Sequence, residues 1–148
     1  MTTHETDSPQ LAAILAFPVR QAALRPMPNR CSGFTTRMRY DGIDIILRTA
    51  EYEDGKLAEI AVDCPKLSLT QRGTLQAFAR AISIGLQHGV PLERYVEAYL
   101  YSRSSSTSVQ VEHNPRIVQA TSLEDMILRE LAITYLGRSD LIQTDTDE

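Results

Sequence analysis

The chain has 148 residues, 43% of them hydrophobic and 23% charged, with a formal net charge of −4. That composition describes a single soluble domain with enough apolar residues to build a core without staples, and the acidic balance disfavours nucleic acid or an anionic membrane, both of which need a basic face. No apolar run reaches the roughly 20 residues that span a bilayer. The polar start also lacks the basic and apolar regions of a secretory signal, so the expected location is the cytoplasm, with Cys31 and Cys64 as reduced thiols at no metal or redox spacing.

In chain order, Ser8 and Pro9 read as the N-cap and first position of a short helix carrying Leu11, Ile14 and Leu15, which Pro18 ends or kinks. Arg25-Pro26-Met27-Pro28-Asn29 reads as an extended linker. Strands are predicted over 34–40, 43–52 and 57–63, joined at Asp41-Gly42 and Asp54-Gly55. Asp-Gly is favoured in two-residue hairpin turns because both central residues take positive φ. The product is a three-stranded antiparallel meander in which Ile43, Ile45 and Leu47 alternate with Asp44, Ile46 and Arg48. Its apolar face needs a cover.

Ser68 and Gln71 form a capping box that opens a helix to about Gln87, with Leu75, Phe78, Ala79, Ile82 and Leu86 on one face. This helix is expected to pack across the meander with Phe78 buried, and Gly89 ends it. Pro91, at a first helical position, opens a second helix with the stripe Leu92, Tyr95, Val96, Tyr99 and Leu100. A serine-rich loop follows at 102–108, then a short strand at Val109 and Val111. Thr121 and Glu124 form a second capping box, opening a helix through Met126, Ile127, Leu131, Tyr135 and Leu136 that Gly137 closes.

The residues that could carry chemistry are sparse. His4, His88 and His113 have no partner at ligand spacing. Cys64, followed by Pro65, reads as a packed, inert thiol. Glu51, Glu53, Asp54, Glu59 and Asp63 surround the meander and read as turn and solvated-face residues. Arg103 amid Ser104, Ser105 and Ser106 is the candidate contact for a phosphate or a partner. The plainer reading of that stretch is a flexible surface loop. Helix, three antiparallel strands, helix is also the order of double-stranded RNA-binding domains. Here the second helix starts Leu69-Thr70-Gln71-Arg72-Gly73, with one basic residue. A nucleic-acid binder requires Arg37, Arg39, Arg48 or Arg72 to converge, and an enzyme requires two or more of Glu59, Asp63, Cys64 and His88 in one pocket. Tyr95, Tyr99 and Tyr101 on a small domain point to a homo-oligomer, most simply a twofold dimer.

Several strings resemble the C-terminal region of cobalamin-dependent (class II) ribonucleotide reductases. They are Pro28-Asn29-Arg30, Leu47-Arg48-Thr49, Glu51-Tyr52-Glu53-Asp54-Gly55-Lys56-Leu57, Glu59-Ile60, Gly85-Leu86-Gln87, Gly89-Val90-Pro91-Leu92-Glu93, Ala120-Thr121-Ser122-Leu123, Arg129-Glu130-Leu131-Ala132-Ile133 and Tyr135-Leu136-Gly137-Arg138. They run in one order over about residues 28–141, and the region they resemble belongs to the group called TSCPD domains. The resemblance implies descent from an enzyme whose barrel domain holds the radical cysteine, the reducing cysteines, the substrate and adenosylcobalamin. That barrel has no match here, and neither does the reductases' C-terminal redox cysteine pair, so no catalytic residue carries over. Two loops depart from the family pattern. Asp63-Cys64-Pro65-Lys66-Leu67 stands where the family reads Met-His-Lys-Glu-Gly, and only Arg103 survives where it reads Thr-Arg-Phe-Glu-Pro-Ala-Gly.

The expected fold class is therefore α+β: a three-stranded antiparallel meander covered by helices, with further C-terminal helices. Residues 1–27 are read as tail, short helix and linker, 28–142 as the TSCPD-like domain, and 143–148 as a disordered acidic tail. The expected function is a non-catalytic accessory or regulatory binding module without a cofactor. Its partner is a protein, either a ribonucleotide reductase or a second copy of the chain, met through Arg103, Ser104, Ser105 and Ser106. A nucleic-acid-binding regulator and a small enzyme of unrecognised type are the alternatives.

Overall fold

A computed structural model describes residues 23–104 and 106–144. The helix expected near residues 8–17, Ser105 and the last four residues of the acidic tail lie outside the described residues. The described elements run β1 (Thr35–Tyr40), β2 (Ile43–Glu51), β3 (Leu57–Asp63), α1 (Leu69–Gln87), α2 (Leu92–Tyr99), β4 (Val109–Glu112), β5 (Gln119–Ala120) and α3 (Leu123–Tyr135), closed by a 3-10 turn at Ser139–Leu141.

The class is α+β, as expected, but the sheet is larger than the meander. Five antiparallel strands stand in the order β3-β2-β1-β4-β5. The meander forms its first part, and β4 joins it by pairing Val111 with Tyr40 and Glu112 with Arg39. At the first turn Asp41 and Gly42 both take positive φ, 51° and 74°, as a tight hairpin demands. The second turn is longer. Gly55 takes φ +85°, and Gly55 N–H donates to Tyr52 O, so the turn is built over four residues beside a bulge at Ala50/Glu51.

Register decides which residues share a face. Met38 stands opposite Ile45, Leu47 opposite Val62 and Thr49 opposite Ile60, so the buried side chains of three strands line one side. The other side carries Arg37, Arg39, Asp44, Arg48 and Glu59. Over the apolar side lies α3, in which every residue from Asp125 to Ile133 is buried. Such all-round burial marks the central helix of the domain.

The first long helix takes a different place from the one expected. α1 lies along β3, where the Ser83 hydroxyl accepts from Ile60 N–H (2.9 Å) and donates toward Ile60 O (3.0 Å). Gln87 Nε2 donates to Ala58 O (3.3 Å). These side chains satisfy backbone groups that an edge strand leaves open. Phe78 is consequently half-buried, with its ring edge-on to Tyr99 at 5.2 Å, rather than fully enclosed. Ser68 caps α1 as expected, accepting from Gln71 N–H. At α2 the proline is the cap itself rather than the first helical residue. At α3 the cap is Ser122, one residue later than the expected Thr121, and it accepts from Asp125 N–H at 2.9 Å. Gly33 is a point of close approach, since a Cβ there would stand 1.9 Å from Thr49 O.

Candidate functional site

The root of the serine-rich loop is built into the start of α3. Asp125 Oδ1 accepts from Tyr101 N–H (2.7 Å) and Oδ2 from Thr121 N–H (3.0 Å). Arg129 holds the same carboxylate at 3.0 Å, with both side chains almost wholly buried. The Thr121 hydroxyl donates to Ser102 O (2.6 Å), and the Ser102 and Ser122 hydroxyls share a bond of 2.8 Å. Ser104 N–H donates to Thr121 O at 3.2 Å. Beyond this root the loop turns outward, with Arg103, Ser104 and Ser106 exposed. Arg103 has no ion-pair partner among the described residues. A depression of about 350 Å³ lies beside the root, lined by Val96, Leu100, Tyr101 and Arg138 among others.

The residues an enzyme would need do not share a pocket. Asp63 is bound by Arg72 at 2.7 and 3.0 Å, and that guanidinium holds its carboxyl below the usual range. Cys64 is fully buried, and burial pushes its thiol up, away from the reactive thiolate. Glu59 lies on the solvated side of the sheet, while His88 lies at the end of α1 with Nδ1 2.8 Å from Ile84 O. Among the described residues no group of three or more His, Cys, Asp or Glu is placed to hold a metal ion.

The basic residues do meet in part. Arg37, Arg39 and Arg48 share the solvated face of the sheet. Arg39 is taken by Asp44 (2.9 Å) and Glu112 (3.8 Å), and Arg72 by Asp63. Two of the four cations are thus matched by carboxylates, which lowers the positive field phosphates require. No described helix is long and apolar enough to cross a membrane.

A larger groove was not foreseen from the sequence. Its volume is about 680 Å³. The walls come from Ala23 and Arg25, the β2–β3 turn, the α1–α2 junction at residues 86–93, and Tyr135 with Leu136. Leu57, Leu86 and Leu92 supply apolar surface, while Arg25, Asp54, Lys56, His88 and Glu93 supply polar groups. The Tyr135 hydroxyl donates to Glu51 Oε2 at 2.6 Å and lies 2.8 Å from Thr49 Oγ1, with its ring stacked on Phe34. Burial, followed by the neighbouring Glu51 carboxylate, pushes that hydroxyl well above the ordinary tyrosine range.

The family model described as the TSCPD domain matches residues 20–135. The chain belongs to the TSCPD domain family. Over 122 residues it is 43% identical to a vitamin B12-dependent ribonucleotide reductase of Agrobacterium fabrum, and 42% identical to one of Bradyrhizobium diazoefficiens. Each match takes in 82% of this chain and 10% of the reductase. A reductase of the same description from Streptomyces avermitilis is 30% identical over 141 residues, covering 89% of this chain and 14% of that protein. This TSCPD-domain chain therefore spans about a tenth of the length of the curated relatives it matches. No solved structure matches it. Residues from the strings at 51–57, 85–87, 89–93 and 135–138, which carry the resemblance described above, line the groove. That convergence is the signal by which the groove could have been found from the sequence.

Proposed function

We propose that this TSCPD-domain chain is a non-catalytic accessory or regulatory binding module that acts on a protein partner, with a vitamin B12-dependent ribonucleotide reductase as the first candidate and a second copy of the chain as the next. The observation that carries the reading is the pattern of similarity. Identity above 40% is confined to about a tenth of the reductases. The part of the reductases that this chain resembles is a small fraction of their length, and a region of that kind is suited to binding rather than turnover. The scattered titratable groups support the same reading, since Asp63 and Arg72 are spent on each other and Cys64 is buried.

Arg103, Ser104, Ser105 and Ser106 are the proposed contact for a partner carboxylate or phosphate. Arg103 is exposed and uncommitted, the loop root is fixed by Asp125, and a mixed apolar and charged depression adjoins Tyr101. An exposed guanidinium on a fixed base binds an anion with less ordering cost than one on a free loop. The test is an affinity pull-down from the native cell, repeated with Arg103→Ala and with Ser104, Ser105 and Ser106 replaced by alanine. Recovery of the reductase by the natural chain and its loss with the loop variants supports the proposal. Equal recovery by all of them removes the loop from the contact, and salt-sensitive recovery of RNA or DNA replaces the reading with that of a nucleic-acid binder.

A further inference from the structure

The groove already seats a short stretch of peptide. Arg25 N–H donates to Gln87 O (2.8 Å), and Arg25 O accepts from the Tyr52 hydroxyl (3.0 Å). The Arg25 guanidinium lies 3.8 Å from the centre of the Tyr52 ring and 3.0 Å from Asp54 Oδ2. Both main-chain groups of one residue and its charge are thus held together, which is how peptide-binding surfaces recognise an extended ligand. The receiving side is fixed independently of the arm. Tyr52 is buried, and Asp54 Oδ1 accepts from Lys56 N–H (3.0 Å) within its own turn. The arm is held by the Arg25 contacts and by Gln87 Nε2, 3.3 Å from Met27 Sδ. It carries Pro26 and Pro28, forms no strand, and its ion pair is nearly half exposed on both sides. Such pairs are screened and contribute little.

We propose that this groove is the docking seat for an extended segment of a protein partner. That segment presents a basic side chain to Tyr52 and Asp54 and an apolar one to Leu57, Leu86 and Leu92, and the chain's own Arg25 is a placeholder that it displaces. Charge selects this occupant. With Arg25 withdrawn, the rim carries two carboxylates, Asp54 and Glu93, against one lysine, Lys56, with His88 beside them. Size permits it, because about 680 Å³ remains beside the arm, within the range of sites that enclose sizeable ligands. The proposal rests on the binding-module reading and adds to it the chemistry of the partner and a surface distinct from the serine-rich loop.

The probe is a fluorescein-labelled peptide with the sequence of residues 20–29, followed by fluorescence anisotropy against the whole chain. Arg25→Ala removes the guanidinium from Tyr52 and Asp54, leaving the arm held by its main chain and the Met27 contact, and is expected to bind the peptide at least about tenfold more tightly than the natural chain. Adding Asp54→Asn, which keeps the turn's acceptor and removes the charge, is expected to weaken binding about tenfold, the factor equivalent to ~1.4 kcal/mol. A peptide with alanine in place of its Arg25 is expected to be equally weak. A folded Arg25→Ala chain that binds no peptide, or one indifferent to both Asp54 and the peptide's arginine, overturns the proposal. Sedimentation of the natural chain as a dimer that the peptide dissociates overturns it too, by making a second copy's arm the occupant. The serine-loop variants should bind the peptide normally, so the failure of this proposal and the failure of the loop contact are separate results.

Discussion

Asp125 and Arg129 stand one helical turn apart at the start of α3 as a buried ion pair of 3.0 Å, and the same Asp125 carboxylate closes two loops by accepting the N–H groups of Tyr101 and Thr121. Arg129 Nε is buried without a hydrogen-bond partner among the described residues. Breaking one side of such a pair leaves an uncompensated buried charge. Asp125→Asn is therefore expected to cost about 3–5 kcal/mol in denaturant unfolding. It should also speed hydrogen exchange at Tyr101 and Thr121 before it affects β2. A loss within about 0.5 kcal/mol, the scale of surface substitutions, would show that the pair holds nothing together.

Asp63 predicts an acid dependence. Its carboxyl is held low, first by the hydrogen bonds from Arg72, so ionised Asp63 is favoured in the folded chain. A depressed folded pKa contributes stability that is present above the unfolded carboxyl value of about 3.9 and is lost as pH falls through the folded one. The natural chain should therefore exceed Asp63→Asn in stability at pH 7, and the gap should close below about pH 4. A gap that does not change with pH would assign the difference to the hydrogen bond with Cys64 N–H instead.

Tyr135 predicts the opposite end of the scale. Its hydroxyl is raised by burial and then by Glu51, so the folded chain holds the neutral phenol. A raised folded pKa contributes stability that is full below the unfolded value, about 10 for tyrosine, and is lost as pH climbs beyond it. Tyr135→Phe should cost roughly 1.5–3 kcal/mol near neutrality, the range for a hydrogen bond to a charged group. Above about pH 10 it should lose less further stability than the natural chain does. Equal alkaline slopes for the two would refute the buried-phenol account.

The seal between α1 and β3 predicts two unequal losses. Ser83→Ala leaves the Ile60 N–H buried without its acceptor and should cost about 1–3 kcal/mol. Phe78→Ala removes a half-buried ring, so its cost should fall below the 3–5 kcal/mol of an enclosed phenylalanine. Equilibrium urea unfolding of both variants checks the pair, and a Phe78→Ala loss in the full range would place that ring in the core after all.

The purified chain, supplied with ribonucleotide, adenosylcobalamin and a dithiol, is expected to form no deoxyribonucleotide above background, because it matches only a tenth of the reductases it resembles. Turnover that tracks the protein through purification would overturn the binding-module reading.

What the sequence revealed follows from the range over which each feature is determined. The Asp41-Gly42 turn was legible because two adjacent residues set it. The three strands around it were legible from alternation over six to nine residues. β5 was not, since two residues at Gln119–Ala120 carry no period, and β4 was legible only as a strand, not as a partner for β1. The place of α1 was misread because an apolar stripe specifies burial but not what buries it. The decisive residue, Ser83, is polar and sits inside that stripe. The three tyrosines that point to an oligomer are only partly covered within the domain. Tyr95 is tucked against Gly85 and Tyr99 against Phe78, while Tyr101 remains 62% exposed. The groove escaped the residue-by-residue reading because its walls come from four stretches as far apart as residues 23 and 136.

The two margins of the sheet have a bearing on assembly. On one side Ser83 and Gln87 occupy the backbone of β3. On the other, Gln143 Oε1 accepts the N–H groups of Val118 and Gln119 at 2.8 and 2.9 Å, next to β5. With both flanks engaged from within, a visiting strand finds few open main-chain groups to zip onto. Growth of the sheet from one molecule into the next is thereby discouraged, which leaves side chains and grooves, rather than a free strand edge, as the surfaces on which a choice of partner can be written.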